Sequence, residues 1–190
     1  MVENKSKHRI EVFYKEEDPR GYAVAEKFKK IGFNVNKVQL TDNYLINIDF
    51  TPEEIQEAGA LLIQPVTQSF TVDSPYIPEF KFDYCIEVGF LPGVTDNVAH
   101  TVRESLEDKF KKTFDKEKSV FYTISYFFAG IANYDEAQQI ARELYNPLIQ
   151  RIKILSHDEY LKNAGMGYDI PVVHLSSKNT IKKVDLNVPE

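Results

Sequence analysis

The chain has 190 residues, of which 43% are hydrophobic and 27% charged, so it lies in the globular range and can bury one substantial core or two small ones. A net charge of −6, without a basic stripe carrying interleaved aromatics, argues against nucleic acid as a partner. No run nears the roughly 18 apolar residues of a membrane span, the polar start Met1–His8 has no apolar signal core behind it, and a single cysteine excludes an internal disulfide framework, so a cytoplasmic protein without a membrane partner is expected.

In chain order, residues 9–14 alternate as a strand does, with Ile10, Val12 and Tyr14 on one side. After a turn at Asp18-Pro19-Arg20-Gly21, Val24, Phe28 and Ile31 recur at helical spacing. Two extended runs, 33–42 and 43–50, are rich in Val, Ile, Tyr and Phe and read as a strand pair. Thr51-Pro52-Glu53-Glu54 is a capping box with proline at the first helical position: the cap hydroxyl takes an orphan N–H, and Glu54 reaches back to the N–H of the cap. The helix it opens bears Ile55, Ala58, Gly59 and Leu62 as one apolar stripe, whose small residues imply close packing on a sheet. Pro65 removes a donor and ends it, and a strand follows over 66–72.

Residues 74–83 hold Pro75 and Pro78 among Tyr76, Phe80 and Phe82, a stiff aromatic strap expected on the surface. The same order then runs again. Ile86, Val88 and Phe90 mark a strand over 85–90; Pro92-Gly93-Val94-Thr95-Asp96 leads into a longer helix with Val98, Val102, Leu106 and Phe110; runs 118–124 and 125–131 form the second strand pair. Asn133-Tyr134-Asp135-Glu136 repeats the cap, Ala137, Ile140, Ala141 and Leu144 repeat the stripe, and Pro147 precedes a strand over 148–154. Laying 37–72 on 119–154 without gaps gives 8 identities in 36 positions, among them Tyr44/Tyr126, Glu54/Glu136, Pro65/Pro147 and Gln68/Gln150. About 2 would arise from average usage.

The expectation is therefore an α+β protein of two tandem β-α-β-β-α-β units, each a four-stranded ferredoxin-like sheet with helices on one face, paired as an intramolecular pseudo-dimer. Its boundaries are 1–73 and 84–155, with 74–83 as linker and 156–190 as a C-terminal extension. In the extension, Ser156–Tyr168 reads as a short helix and a glycine turn, and 170–175 with 180–186 as a β-hairpin; Pro189-Glu190 resembles the start of a further helix, as in a chain that continues. On the sheet face away from the helices, Phe13, Leu45, Phe121, Phe127 and Ile149 lie beside Glu11, Glu87 and Arg151, the mixture of an interface.

No catalytic constellation is found. The glycine-rich nucleotide loops and His-Glu-x-x-His are absent; His8, His100, His157 and His174 are scattered and read as surface residues; Ser156-His157-Asp158 reads as a helix cap, and Cys85 as a small, partly buried filler. Asp18 and Asp96 precede helices and read as caps, occupying the N-termini that could otherwise hold an anion. Gln68 and Gln150 share parity with apolar strand neighbours, so each amide needs a partner. Two readings stay open: local backbone at a sheet edge, or a contact that joins the two repeats or an outside partner.

A short strand followed by Asp-Pro-x-Gly or Pro-Gly-Val-Thr-Asp, then a helix, strands, and a capped helix running into Asn-Pro-x-Ile resembles the small PurS-type subunit of phosphoribosylformylglycinamidine synthase. Here these are Pro92-Gly93-Val94-Thr95-Asp96 and Asn146-Pro147-Leu148-Ile149-Gln150. Two copies in tandem resemble the N-terminal region of the large, single-chain form of that synthase, and Val184–Glu190 is similar to the lead-in to its linker. The first repeat carries Gln64-Pro65 in place of Asn-Pro. The resemblance implies purine biosynthesis, in which ATP, magnesium and glutamine-derived ammonia serve an amidine-forming ligase. Those sites lie in other domains, so this chain would itself be non-catalytic, hold no cofactor, and dock the synthetase and glutaminase portions. Candidate interface residues are Gln68, Gln150, Asn146, Pro147, Pro65, Phe121 and Phe127. The rival readings are a tandem ACT-like small-molecule sensor, suggested by Pro92-Gly93, and an acylphosphatase-like enzyme, opposed by Lys15-Glu16-Glu17 where an arginine cradle is needed.

Overall fold

The computed structural model describes residues 7–115 and 120–170. Its elements run β1 (His8–Tyr14), α1 (Pro19–Lys30), β2 (Lys37–Ile46), α2 (Pro52–Leu61), β3 (Gln68–Val72), β4 (Tyr84–Phe90), α3 (Asn97–Phe110), β5 (Val120–Ala129), α4 (Tyr134–Arg142), β6 (Gln150–Ser156) and α5 (His157–Lys162). The protein is α+β, with one six-stranded sheet in the order β3-β1-β2-β5-β4-β6, every neighbouring pair antiparallel.

The expected strand pairs are each a single strand. Residues 33–42 with 43–50, and 118–124 with 125–131, contribute β2 and β5, both ten residues long. Asp42-Asn43 has turn-like composition, but Asn43 sits in mid-sheet, paired with Glu11 of β1 on one side and Thr123 of β5 on the other. Two ladders hold the backbone extended where local preference would bend it. Each half is thus β-α-β-α-β with three strands, and the four-stranded ferredoxin-like sheet is not formed.

Pairing in the first three strands recurs in the last three. Ile10 faces Tyr44 and Val72, and Ile86 faces Tyr126 and Ile154. The helix caps recur as well: Asp18 and Asp96 accept N–H groups at the starts of α1 and α3, and Thr51 and Asn133 do so for α2 and α4.

Helices α1–α4 cover one face of the sheet, in two cores that mix the halves. Ala25 and Phe28 of α1 pack with Ala137, Ile140 and Ala141 of α4 over Val38, Leu40, Ile86 and Phe128. Ile55 and Ala58 of α2 pack with Ala99, Val102 and Leu106 of α3 over Ile10, Val12 and Ile46. Each core therefore takes one helix from each half, and neither half alone can close one. Two helix glycines permit close approaches to the sheet: a Cβ on Gly21 would lie 2.1 Å from the Val38 carbonyl oxygen, and one on Gly59 would lie 2.2 Å from the Phe70 ring.

The opposite face is closed by the chain's own strap and by α5. Phe82, Cys85, Phe127, Tyr160 and Met166 form a third core, flanked by Tyr76, Phe80 and Leu155. The strap is a lid on the sheet, and this face is largely interior. Ser156 caps α5 through a capping box with Glu159, as its sequence implied. His8 is buried, with Nδ1 at 2.8 Å from Asp73, so the surface reading fails for it: position 8 lies in β1 beneath the turn that starts the strap. The expected hairpin after residue 170, His174 and the Pro189-Glu190 end fall outside the described residues. No helix among the described residues is long and apolar enough to cross a membrane.

Candidate functional site

Gln68 and Gln150 open the two edge strands. Gln68 Oε1 accepts from the N–H of Gln64 at 2.8 Å, and Gln150 Oε1 accepts from that of Asn146 at 2.8 Å. The glutamines' own N–H groups donate to the carbonyls of Gln64 and Asn146, again at 2.8 Å. Each amide thus closes its own turn, which is the local-backbone reading. Pro65 and Pro147 sit within these turns; the Pro65 carbonyl accepts from Lys15 Nζ at 2.6 Å, and Asn146 Oδ1 from the N–H of Leu148 at 3.1 Å. Beside them Val66 and Leu148 are each 83% exposed, matched aliphatic side chains at opposite edges of the sheet. Phe121 is half-buried on β5. Phe127 is fully buried between Phe82, Tyr76 and Tyr160, so its ring belongs to the interior and not to a docking surface.

Beneath the strap lies a buried polar cluster. Arg9 Nε donates to Glu11 at 2.5 Å, Nη2 to Glu87 at 2.5 Å, and Nη1 to the Gly167 carbonyl at 3.1 Å. The Arg9–Glu87 bridge reaches from β1 to β4 over the two central strands. The Asn43 amide lies 2.8 Å from both the Thr41 and the Ser125 hydroxyls, and Ser125 donates to Glu87 at 3.1 Å. Glu11 also accepts the N–H of Tyr76, at 2.6 Å, which ties the strap to the sheet. Burial pushes the Glu11 carboxyl up against the pull of Arg9; burial would lower Arg9, but Glu87 and Glu11 more than reverse this and keep it charged. Burial likewise pushes the Cys85 thiol up, which keeps it an unreactive filler. The signal for this cluster was in the sequence, since Ile-Glu-Val occurs at the same place in both halves with Arg9 before the first.

On the helix face, the seam between the two cores is a cleft centred on Asp42 and Ile124, which face each other. One side is filled. Arg20, at the start of α1, donates to Asp18 through Nε at 3.1 Å and Nη2 at 2.9 Å, and to Asp42 through Nη1 at 3.1 Å, with its guanidinium carbon 5.4 Å from the centre of the Tyr14 ring. The Tyr122 hydroxyl donates to the same Asp42 at 2.5 Å. Burial raises the Tyr122 hydroxyl, with Asp42 adding to it, and holds Tyr44 at about 12.

The other side is an open cavity of about 330 Å³, walled by Val88, Phe90, Asp96, Tyr122, Tyr126 and Leu144. Asp96 is half-buried there and accepts the N–H groups of Ala99 at 2.9 Å and Tyr122 at 3.1 Å. Burial raises its carboxyl, although these N–H bonds pull the other way. Among the described residues, no three His, Cys, Asp or Glu side chains gather as a metal set. Compared with known proteins, the chain matches no family model and no curated protein.

Proposed function

We propose that the chain is a PurS-like tandem module of phosphoribosylformylglycinamidine synthase, serving assembly in purine biosynthesis and not the chemical step. The observation that carries this reading is the exchange of helices between the two cores across the β2–β5 pairing, in which two similarly paired three-strand units close on each other as the subunits of a dimer would. A tandem that replaces a dimer of small subunits needs that construction. The quoted motifs support it too: Pro92–Asp96 forms the lead into α3, and Asn146-Pro147 forms the turn into β6. In this reading the synthetase and glutaminase portions of a cytoplasmic ligase are the partners, ATP and magnesium belong to the synthetase portion, and the turns bearing Val66 and Leu148, the most exposed aliphatic side chains among the described residues, are available for docking.

Reconstitution tests it. The remainder of a single-chain synthase, expressed without its N-terminal region, is assayed for glutamine-dependent amidine formation with and without this chain. Restored turnover and co-elution support the module; neither co-elution nor any gain in rate contradicts it.

A further inference from the structure

The open side of the central cleft has a counterpart inside the same molecule. The strand register and the caps relate Tyr14 to Phe90, Asp18 to Asp96, Arg20 to Val98 and Asp42 to Ile124. On the filled side a guanidinium lies against the aromatic ring, held by the cap carboxylate. On the open side the aromatic ring and the cap carboxylate remain, but the position of the arginine is taken by Val98, which is 41% exposed and too short to fill the space.

We propose that this cavity is a seat for one guanidinium group supplied from outside the chain, held by Asp96 and stacked on Phe90, as Arg20 is held by Asp18 over Tyr14. A planar fork of N–H donors suits a carboxylate whose oxygens already accept backbone N–H groups and still have lone pairs free. The aromatic wall favours a delocalised cation over a strongly hydrated point charge. Ile124, standing where Asp42 stands on the filled side, leaves one carboxylate and a single positive charge to match it. The two sides are linked, because Tyr122 walls the cavity and donates to the Asp42 that holds Arg20. This seat does not depend on the assembly role proposed above.

The test uses the full chain, labelled with 15N and titrated with agmatine, which carries a guanidinium on an aliphatic stem. Saturable shifts confined to the amides of Thr95–Val98 and Tyr122 are expected, with butylamine several-fold weaker. Asp96→Asn keeps a good helix cap but loses the charge, and should weaken agmatine by about tenfold or more. Val98→Arg should fill the cavity from within and abolish agmatine binding. An Nα-acetyl-arginine amide run in parallel sorts the source: tighter binding than agmatine assigns the seat to an arginine of a partner chain, weaker binding to a free guanidine, and either supports it. No saturable shift in the wild type, equal binding by Asp96→Asn, or butylamine binding as well as agmatine would overturn the proposal.

Discussion

Asp42 and Ile124 face each other in the middle of the β2–β5 ladder, and each holds the same place in its own half of the chain. The repeated strand registers meet between them, and the side chains differ there: a carboxylate that gathers Arg20 and Tyr122 on one side, an aliphatic that gathers neither on the other. On the far face of the sheet the flanking residues Thr41, Asn43, Thr123 and Ser125 hydrogen-bond to one another beside the Arg9 cluster.

The Arg9 cluster should be sensitive to loss of its cation. Arg9→Met leaves Glu11 and Glu87 buried without a counter-charge and should lower stability by about 3–5 kcal/mol. Adding Glu11→Gln and Glu87→Gln to that variant should recover most of the loss, as read from urea unfolding. A wild-type midpoint for Arg9→Met alone would refute the cluster's role.

Gly21→Ala should destabilise, although alanine is the better helix former. Its Cβ would meet the Val38 carbonyl, a backbone atom that cannot move aside, and the expected cost is about 2–3 kcal/mol. Alanine already stands at the equivalent Ala99 of α3, so the asymmetry is specific to the closer approach of α1. Thermal melts of Gly21→Ala check it.

The two turn glutamines should behave alike. Gln68→Leu and Gln150→Leu each strand one N–H, that of Gln64 or of Asn146, and each should cost about 1 kcal/mol, less where water reaches the freed group. By contrast Phe127→Asp places a charge in the third core and should prevent folding, while Leu148→Asp at an exposed turn should change stability by less than about 0.5 kcal/mol. Circular dichroism and urea melts on the four variants separate these outcomes.

Asp73 supplies a pH dependence. Burial would raise its carboxyl, but the Arg9 N–H, the Tyr168 hydroxyl and His8 together hold it below its ordinary value of 3.8. A depressed folded value means that the unfolded state takes the proton first, so the stabilisation is complete above 3.8 and is lost as pH falls through the folded value. Asp73→Asn should therefore lower the Tm at pH 7, by the worth of about 1–2 kcal/mol, with the difference from wild type shrinking as pH falls below 3.8. A gap that stays constant with pH would show that the charge of Asp73 is not what holds the strap.

Much of this fold was legible because its signals are local. Asp18, Thr51, Asp96, Asn133 and Ser156 are all caps, as their side chains and spacing implied; of the apolar stripes, Ile55, Ala58 and Gly59 of α2 and Ala137, Ile140 and Ala141 of α4 are buried, while Leu62 and Leu144 lie half-buried just past the helix ends. What escaped was decided by distant residues. The turn-like Asp42-Asn43 is held straight by strands from both sides; the mixed face of the sheet is closed by Tyr76, Phe82 and Tyr160, which lie far in sequence from the Phe127 they pack on. The cleft is not legible in the sequence because Arg20 and Val98 differ in kind, and only the matched registers show that they occupy equivalent places.

The claim on which the account most depends is that the two halves build their cores jointly, and division of the chain tests it directly. Residues 1–82 and 83–190, expressed separately, should each lack a cooperative thermal transition, and on mixing should regain one transition and the spectrum of the intact chain. A cooperative melt of 1–82 alone, near the Tm of the intact protein, would contradict it.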